Sequence, residues 1–226
     1  VKPSVLVAAT TTADGARLTL HRRDGVWQLR VGGHGLMSTA QTRSEAALAE
    51  LGCATLAAAG RPRVLIGGLG LGFTLRRVLE LVPAAARVQV AELLPAVVEW
   101  NRAHLREVNG AQLDDPRVEV VVGDVGALLA AAPAGAYDAV LLDVDNGPTA
   151  LVDARNARLY GDAGLRTLAR ALRPGGRAVF WSAAPDRGFL KRLDAAGLQA
   201  HTQRARTYAQ ARRAGATLIA ADRTDR

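Results

Sequence analysis

The residues best placed to do chemistry gather around a glycine run. Ile66-Gly67-Gly68-Leu69-Gly70-Leu71-Gly72 follows a short apolar segment and opens a helical one, so the backbone turns sharply and can approach a ligand with no Cβ in the way. Its spacing excludes two common occupants. A dinucleotide fingerprint, Gly-x-Gly-x-x-Gly, would need glycine at Phe73 if it began at Gly68, or at Leu75 if it began at Gly70. No lysine follows the glycines, so a triphosphate cradle of the Walker type fails as well. What stands is Gly68-x-Gly70-x-Gly72. Two carboxylates sharpen it. Glu92 ends the next apolar segment, where it can accept from both hydroxyls of a ribose; Asp124, with the backbone N–H of Val125, ends the following one, where the exocyclic amine and a ring nitrogen of adenine would lie. Singly, Glu92 also reads as a surface residue and Asp124 as a helix N-cap. Jointly they describe a site for an adenosine ligand, at the carboxyl ends of strands where open α/β sheets bind ligands.

Such a site needs a parallel sheet with crossover helices, and from Arg63 onward short apolar runs alternate with helical stretches. Strands are predicted at Val64 to Gly67, Val88 to Ala91, Val118 to Val122, Ala139 to Leu142 and Ala178 to Trp181. Helices are predicted at Thr74 to Val82, Pro95 to Glu107, Val125 to Ala131, Ala163 to Leu172 and Phe189 to Ala196. A terminal hairpin of Gln199 to Arg206 and Ala216 to Ala221 would follow. The first sixty residues read differently: Ala16 to Arg22 and Val26 to Val31 alternate apolar with polar around Asp24-Gly25, a strong hairpin signal. A helix from Ser44 to Ala59 comes next, with Ser44 as its N-cap. Pro62 marks the boundary between an accessory element, 1–60, and a ligand-binding domain, 61–226.

Composition narrows the function classes. At 226 residues, 49% hydrophobic and 22% charged, the chain fits one α/β unit with a sizeable core. No apolar run reaches the roughly 18 residues of a membrane helix, and Val1-Lys2-Pro3-Ser4 is no signal peptide, so the expected location is the cytoplasm. The single cysteine, Cys53, reads as a small buried hydrophobe, and the four histidines lack metal-ligand spacing, so no metal is expected. The net charge of +8 raises nucleic acid, but 27 of the 29 basic residues are scattered arginines, which argues for a solvated surface.

Taken in order, the glycine loop, Glu92, Asp124, Tyr137-Asp138-Ala139-Val140-Leu141-Leu142-Asp143 and Leu172-Arg173-Pro174-Gly175-Gly176 resemble the motifs of class I S-adenosylmethionine-dependent transferases. Over most of its length the chain looks most like the spermidine synthase family, the finer likeness lying in the N-terminal hairpins, Asp115-Pro116-Arg117-Val118 and Asn146-Gly147-Pro148. The resemblance implies a Rossmann-like, mostly parallel seven-stranded sheet flanked by helices, with a small N-terminal antiparallel β element. It also implies S-adenosylmethionine or its decarboxylated form as co-substrate, held by Gly68, Gly70, Gly72, Glu92, Asp124 and Val125; a small-molecule acceptor; and, as in many such proteins, a homodimer.

The departures bear on the chemistry. Where that family has a Tyr-His-Glu run, this chain has Ser44-Glu45-Ala46-Ala47-Leu48, and the Asp-x-x-Asp-Pro signature becomes Asp143-Val144-Asp145-Asn146-Gly147-Pro148. The aromatic and acidic groups that would grip a diamine are therefore expected to be missing. Methyl transfer to a small-molecule nucleophile leads; aminopropyl transfer to an amine other than putrescine comes second, and a non-catalytic nucleotide-binding scaffold third. Asp143 is the expected acceptor-side carboxylate, orienting and deprotonating the nucleophile, against the alternative that it caps the following loop. Asp145, Asn146, Tyr160 and Trp181 are further acceptor-side candidates.

Overall fold

The computed structural model describes residues 3–13, 15–56, 60–144, 156–184, 186–208 and 214–224. The chain opens as an antiparallel sheet of four strands in sequential order: β1 (Val5–Thr11), β2 (Arg17–Arg23), β3 (Val26–Val31) and β4 (His34–Ser38). Asp24 and Gly25 both take positive φ, 47° and 79°, the turn whose twist suits a two-residue hairpin. Strand alternation sends Leu18 and Leu20, with Trp27 and Leu29, to one buried face. Helix α1 (Arg43–Cys53) follows Thr42. The expected N-cap, Ser44, instead lies within the helix: the Ala46 N–H already bonds the Thr42 carbonyl at 3.1 Å, and the Ser44 hydroxyl donates to the Glu45 carboxylate at 2.6 Å. The helix stops at Cys53, short of the expected Ala59, and 57–59 are outside the described residues.

The second sheet is built from β5 (Arg63–Gly67), α2 (Phe73–Leu81), β6 (Arg87–Glu92), α3 (Pro95–Ala103), α4 (Arg106–Asn109), β7 (Val118–Val122), α5 (Val125–Ala131) and β8 (Tyr137–Leu142). It is completed by α6 (Asn156–Leu159), α7 (Asp162–Ala171), β9 (Leu172–Ser182), α8 (Arg187–Ala195), β10 (Leu198–Ala205) and β11 (Ala216–Arg223). The strand order is β10-β11-β9-β8-β5-β6-β7, parallel from β9 through to β7, with the β10–β11 hairpin antiparallel at one edge. The α/β fold is thus a mostly parallel seven-stranded sheet flanked by helices, beside a small antiparallel sheet.

Two boundaries differ from the sequence pattern. The single helix expected over Pro95 to Glu107 is broken: the His104 N–H closes α3 onto the Trp100 carbonyl at 2.9 Å, while the His104 ring stacks on Trp27 and Leu105 turns into the core. Strand β9 begins at Leu172 rather than Ala178, because Leu172 pairs with Tyr137 and a register shift absorbs Pro174-Gly175-Gly176. The central strands are apolar on both faces, with Leu65, Ile66, Val140 and Leu141 fully buried between helix layers. Strand β5 lies between β6 and β8, so the chain crosses outward in both directions from it. A crevice opens at the carboxyl ends of such a pair, and here those ends are Gly67-Gly68 and Leu142-Asp143.

Candidate functional site

At that crevice lies a cleft with a cavity volume of about 150 Å³, floored by the parallel sheet and roofed by the N-terminal one. Three of its walls come from strand ends: Gly68 and Gly70 after β5, Glu92 after β6, Asp124 and Val125 after β7. Gly68 has φ +92°, and a Cβ there would run into the Asp143 carbonyl, so only glycine lets the loop pass this close to the end of β8. At Gly70, φ +51°, a Cβ would meet Met37 Sδ of β4 at 2.5 Å, which makes this glycine the contact between loop and roof.

Gly72 departs from expectation. It does not line the cleft. It precedes α2 with φ +87°, and the space a Cβ would need is taken by the side-chain amides of Asn101, Asn109 and Gln112. Asn101 Nδ2 donates to the carbonyls of Gly70 (2.8 Å) and Val97 (2.9 Å), and Asn109 Nδ2 donates to that of Leu71. The glycine loop is thus held from behind by carboxamides that no spacing rule had singled out.

Glu92 is 7% exposed, so it is not the surface residue of the alternative reading. Its Oε2 accepts the Leu69 N–H and its Oε1 the Leu94 N–H, both at 2.9 Å. Burial raises its pKa, while the backbone N–H groups of Leu94, Leu69, Gly70 and Leu93 oppose the rise. The carboxylate therefore fastens the glycine loop to the start of α3, and the residue lines the cleft. Asp124 caps α5, its Oδ1 accepting the Ala127 N–H at 2.7 Å, and it also lines the cleft beside Gly123 and Val125.

On the opposite side Asp143 follows β8, its backbone N–H donating to the Gly67 carbonyl at 2.9 Å. The Thr74 hydroxyl, in the first turn of α2, donates to Asp143 Oδ2 at 3.0 Å. Facing it is a residue that the sequence pattern had set aside. Glu45 of α1 is 6% exposed and lines the same cleft, so the expectation that acidic groups are missing is corrected. The signal was available: Glu45, Leu48, Ala49 and Gly52 follow the i, i+3, i+4, i+7 rule, and all four are buried, so the carboxylate sits on the apolar stripe of its helix. Burial pushes Glu45 up to about 7, the charge of Asp143 adding to the rise and the Ser44 hydroxyl opposing it. Burial likewise pushes Asp143 up to about 6, against the Thr74 hydroxyl. Because the charge of Asp143 acts on Glu45, the two carboxyls titrate together rather than independently.

Of the other acceptor-side candidates, Trp181 lines the cleft. Tyr160 does not: it is 2% exposed, packs on Phe180 and Phe189 at 6.1 and 5.6 Å, and its hydroxyl donates to the Val144 carbonyl at 3.2 Å. It is a core residue bracing the end of β8. Asp145 and Asn146 lie outside the described residues. The Cys53 thiol is pushed up to about 12 by burial, which keeps it protonated and unreactive. Among the described residues no helix is long and apolar enough to cross a membrane.

The acid pair has a consequence for stability. Both carboxyls keep their protons to higher pH in the folded chain than unfolded, where they titrate near 4, so the folded state binds more protons between about pH 4 and 7. Stability from this source is complete below that window and is lost as pH rises through 7. Glu45→Gln removes a buried charge, and is expected to stabilise the ligand-free protein by about 2–3 kcal/mol at pH 8 and hardly at all at pH 4. Urea denaturation at the two pH values checks this; equal changes at both would mean that Glu45 is not held protonated.

Comparison with known proteins bears on this geometry. The spermine/spermidine synthase domain model matches residues 46–206. A polyamine aminopropyltransferase of Mycobacterium tuberculosis is 38% identical over 128 residues, 56% of this chain and 24% of that protein. Putrescine N-methyltransferase 1 of Nicotiana tabacum is 36% identical over 116 residues, 50% of this chain and 28% of that protein. The chain thus spans about a quarter of the length of these curated relatives. Among solved structures, a spermidine synthase in complex with the transition-state analogue AdoDATO superposes with a TM-score of 0.78 at 19% identity, covering 96% of this chain and 73% of that one. Spermidine synthase from Thermotoga maritima gives 0.74 at 19%, with 96% and 72% covered.

Proposed function

Because the chain belongs to the spermine/spermidine synthase family, we propose that it transfers an alkyl group from the sulfonium of an S-adenosyl donor to the nitrogen of a small amine. The observation that carries this reading is the placement of Glu45 and Asp143 together in the cleft, beside the glycine loop. In this reading Gly68 and Gly70 let the donor approach, Glu92 accepts from its ribose, and Asp124 with the Val125 N–H meets its adenine. The carboxylate pair holds the acceptor as an ammonium, takes its proton as the cleft closes around it, and keeps the freed lone pair in line with the sulfonium carbon at about 3–3.5 Å. The C–N bond forms as the C–S bond breaks, the donor leaves as a neutral thioether, and the proton remains on the pair.

For the group moved, methyl is our primary reading. Glu92 holds the glycine loop and Asp124 caps α5, which leaves Glu45 and Asp143, both raised toward neutrality by burial, to balance a single cation. S-adenosylmethionine ends in a zwitterion that brings no net charge, whereas its decarboxylated form brings an extra ammonium. Aminopropyl transfer is the second reading, because every ionisable residue lining the cleft among the described residues, Glu45, Glu92, Asp124 and Asp143, is acidic, and none offers a partner to a donor carboxylate. Calorimetric titration with both donors, followed by mass analysis of amines incubated with the donor that binds, decides between them. Donor binding with no modified amine across the series would instead support a nucleotide-binding scaffold.

A further inference from the structure

The N-terminal sheet sends four side chains into the cleft, Leu18 from β2, Leu29 from β3, and Leu36 and Met37 from β4, and all four are apolar. Leu18 and Leu29 are 1% and 4% exposed, fixed in the core, while Leu36 and Met37 are partly buried against it. Trp181 of β9 adds an aromatic side chain beyond the end of β8. Glu45 and Asp143 lie together in the cleft, so among the described residues the acidic character on this side is concentrated at one place.

Among the described residues, a straight-chain diamine extended from that place along the roof would set its second ammonium against leucine and methionine, which is costly unless that charge finds a partner. A hydrocarbon or aromatic body would gain from the same surface. We propose that the acceptor is a monoamine with an apolar body, its ammonium at Glu45 and Asp143 and its hydrocarbon against Leu18, Leu29, Leu36, Met37 and Trp181. This rests on the amine-transferase reading above and names its substrate class.

The test compares 2-phenylethylamine with putrescine as acceptors for the full chain, under saturating donor at pH 8. The aromatic monoamine is expected to show a kcat/KM at least about tenfold higher. Leu36→Glu places a carboxylate on the roof, and Leu36→Gln is its uncharged control, both checked for folding by donor titration. The Glu variant should gain about tenfold on putrescine relative to the Gln variant. A wild-type preference for putrescine would overturn the inference and leave amine transfer standing, as would equal behaviour of the two Leu36 variants. Turnover of neither amine, with donor binding intact, would overturn amine transfer and the inference with it.

Discussion

Asp143→Asn is expected to slow turnover by about 10²–10⁴-fold while leaving donor affinity nearly unchanged. The substitution keeps the size of the side chain, and the amide oxygen can still accept from Thr74, which donates to Oδ2 at 3.0 Å. What it removes is the negative charge beside the end of β5 and the ability to take a proton. A residue that only caps the following loop would tolerate it, so near-wild-type turnover would remove Asp143 from the mechanism and leave Asp145 as the next carboxylate to substitute. The pH profile adds a second readout. Activity should rise with pH as the two carboxyls lose their protons, across the range set by values of about 6 for Asp143 and 7 for Glu45. In Glu45→Gln only the Asp143 step survives, so the acid limb should move downward by about one unit. An unmoved limb would mean that another group carries the titration.

Glu92→Ala should weaken donor binding by about 1.5–3 kcal/mol, and it should do so by two routes. It deletes the acceptor proposed for the ribose hydroxyls, and it releases the N–H groups of Leu69 and Leu94, which its carboxylate holds in the ligand-free chain. Glu92→Gln separates the routes. Its amide oxygen can still serve one of the two N–H groups, so the loop should keep part of its order while the charge-assisted hydrogen bonds to ribose are lost. Titrating both variants with the donor and with adenosine checks this. Affinity unchanged in both would place the nucleoside elsewhere.

The parts of the site that were legible in the sequence are those set by backbone requirements and strand ends. Glycines at Gly68 and Gly70 announce a turn that no side chain tolerates, and a carboxylate after a short apolar run marks the carboxyl end of a strand, as at Glu92, Asp124 and Asp143. The hairpin at Asp24-Gly25 and the β10–β11 pair were readable for the same reason. Contacts between elements distant in sequence were not. A family motif hides Glu45, whereas its position among Leu48, Ala49 and Gly52 on its own helix points it inward. The type of Tyr160 suggests a cleft residue, but the aromatic packing with Phe180 and Phe189 that buries it joins the turn after α6 to β9 and α8. The grip of Asn101 and Asn109 on the loop carbonyls likewise joins α3 and α4 to the turn after β5, across more than one crossover.

That grip bears on kinetics. Residues 69–71 are tied on one side by Glu92 and on the other by Asn101 and Asn109 before any ligand arrives. The entropy of ordering this turn is therefore spent when the protein folds, not when it meets its donor. Association should then behave as a single encounter step with a rate constant that rises linearly with donor concentration, without the plateau that a slow loop rearrangement imposes. Donors differing in affinity should differ chiefly in how long they stay.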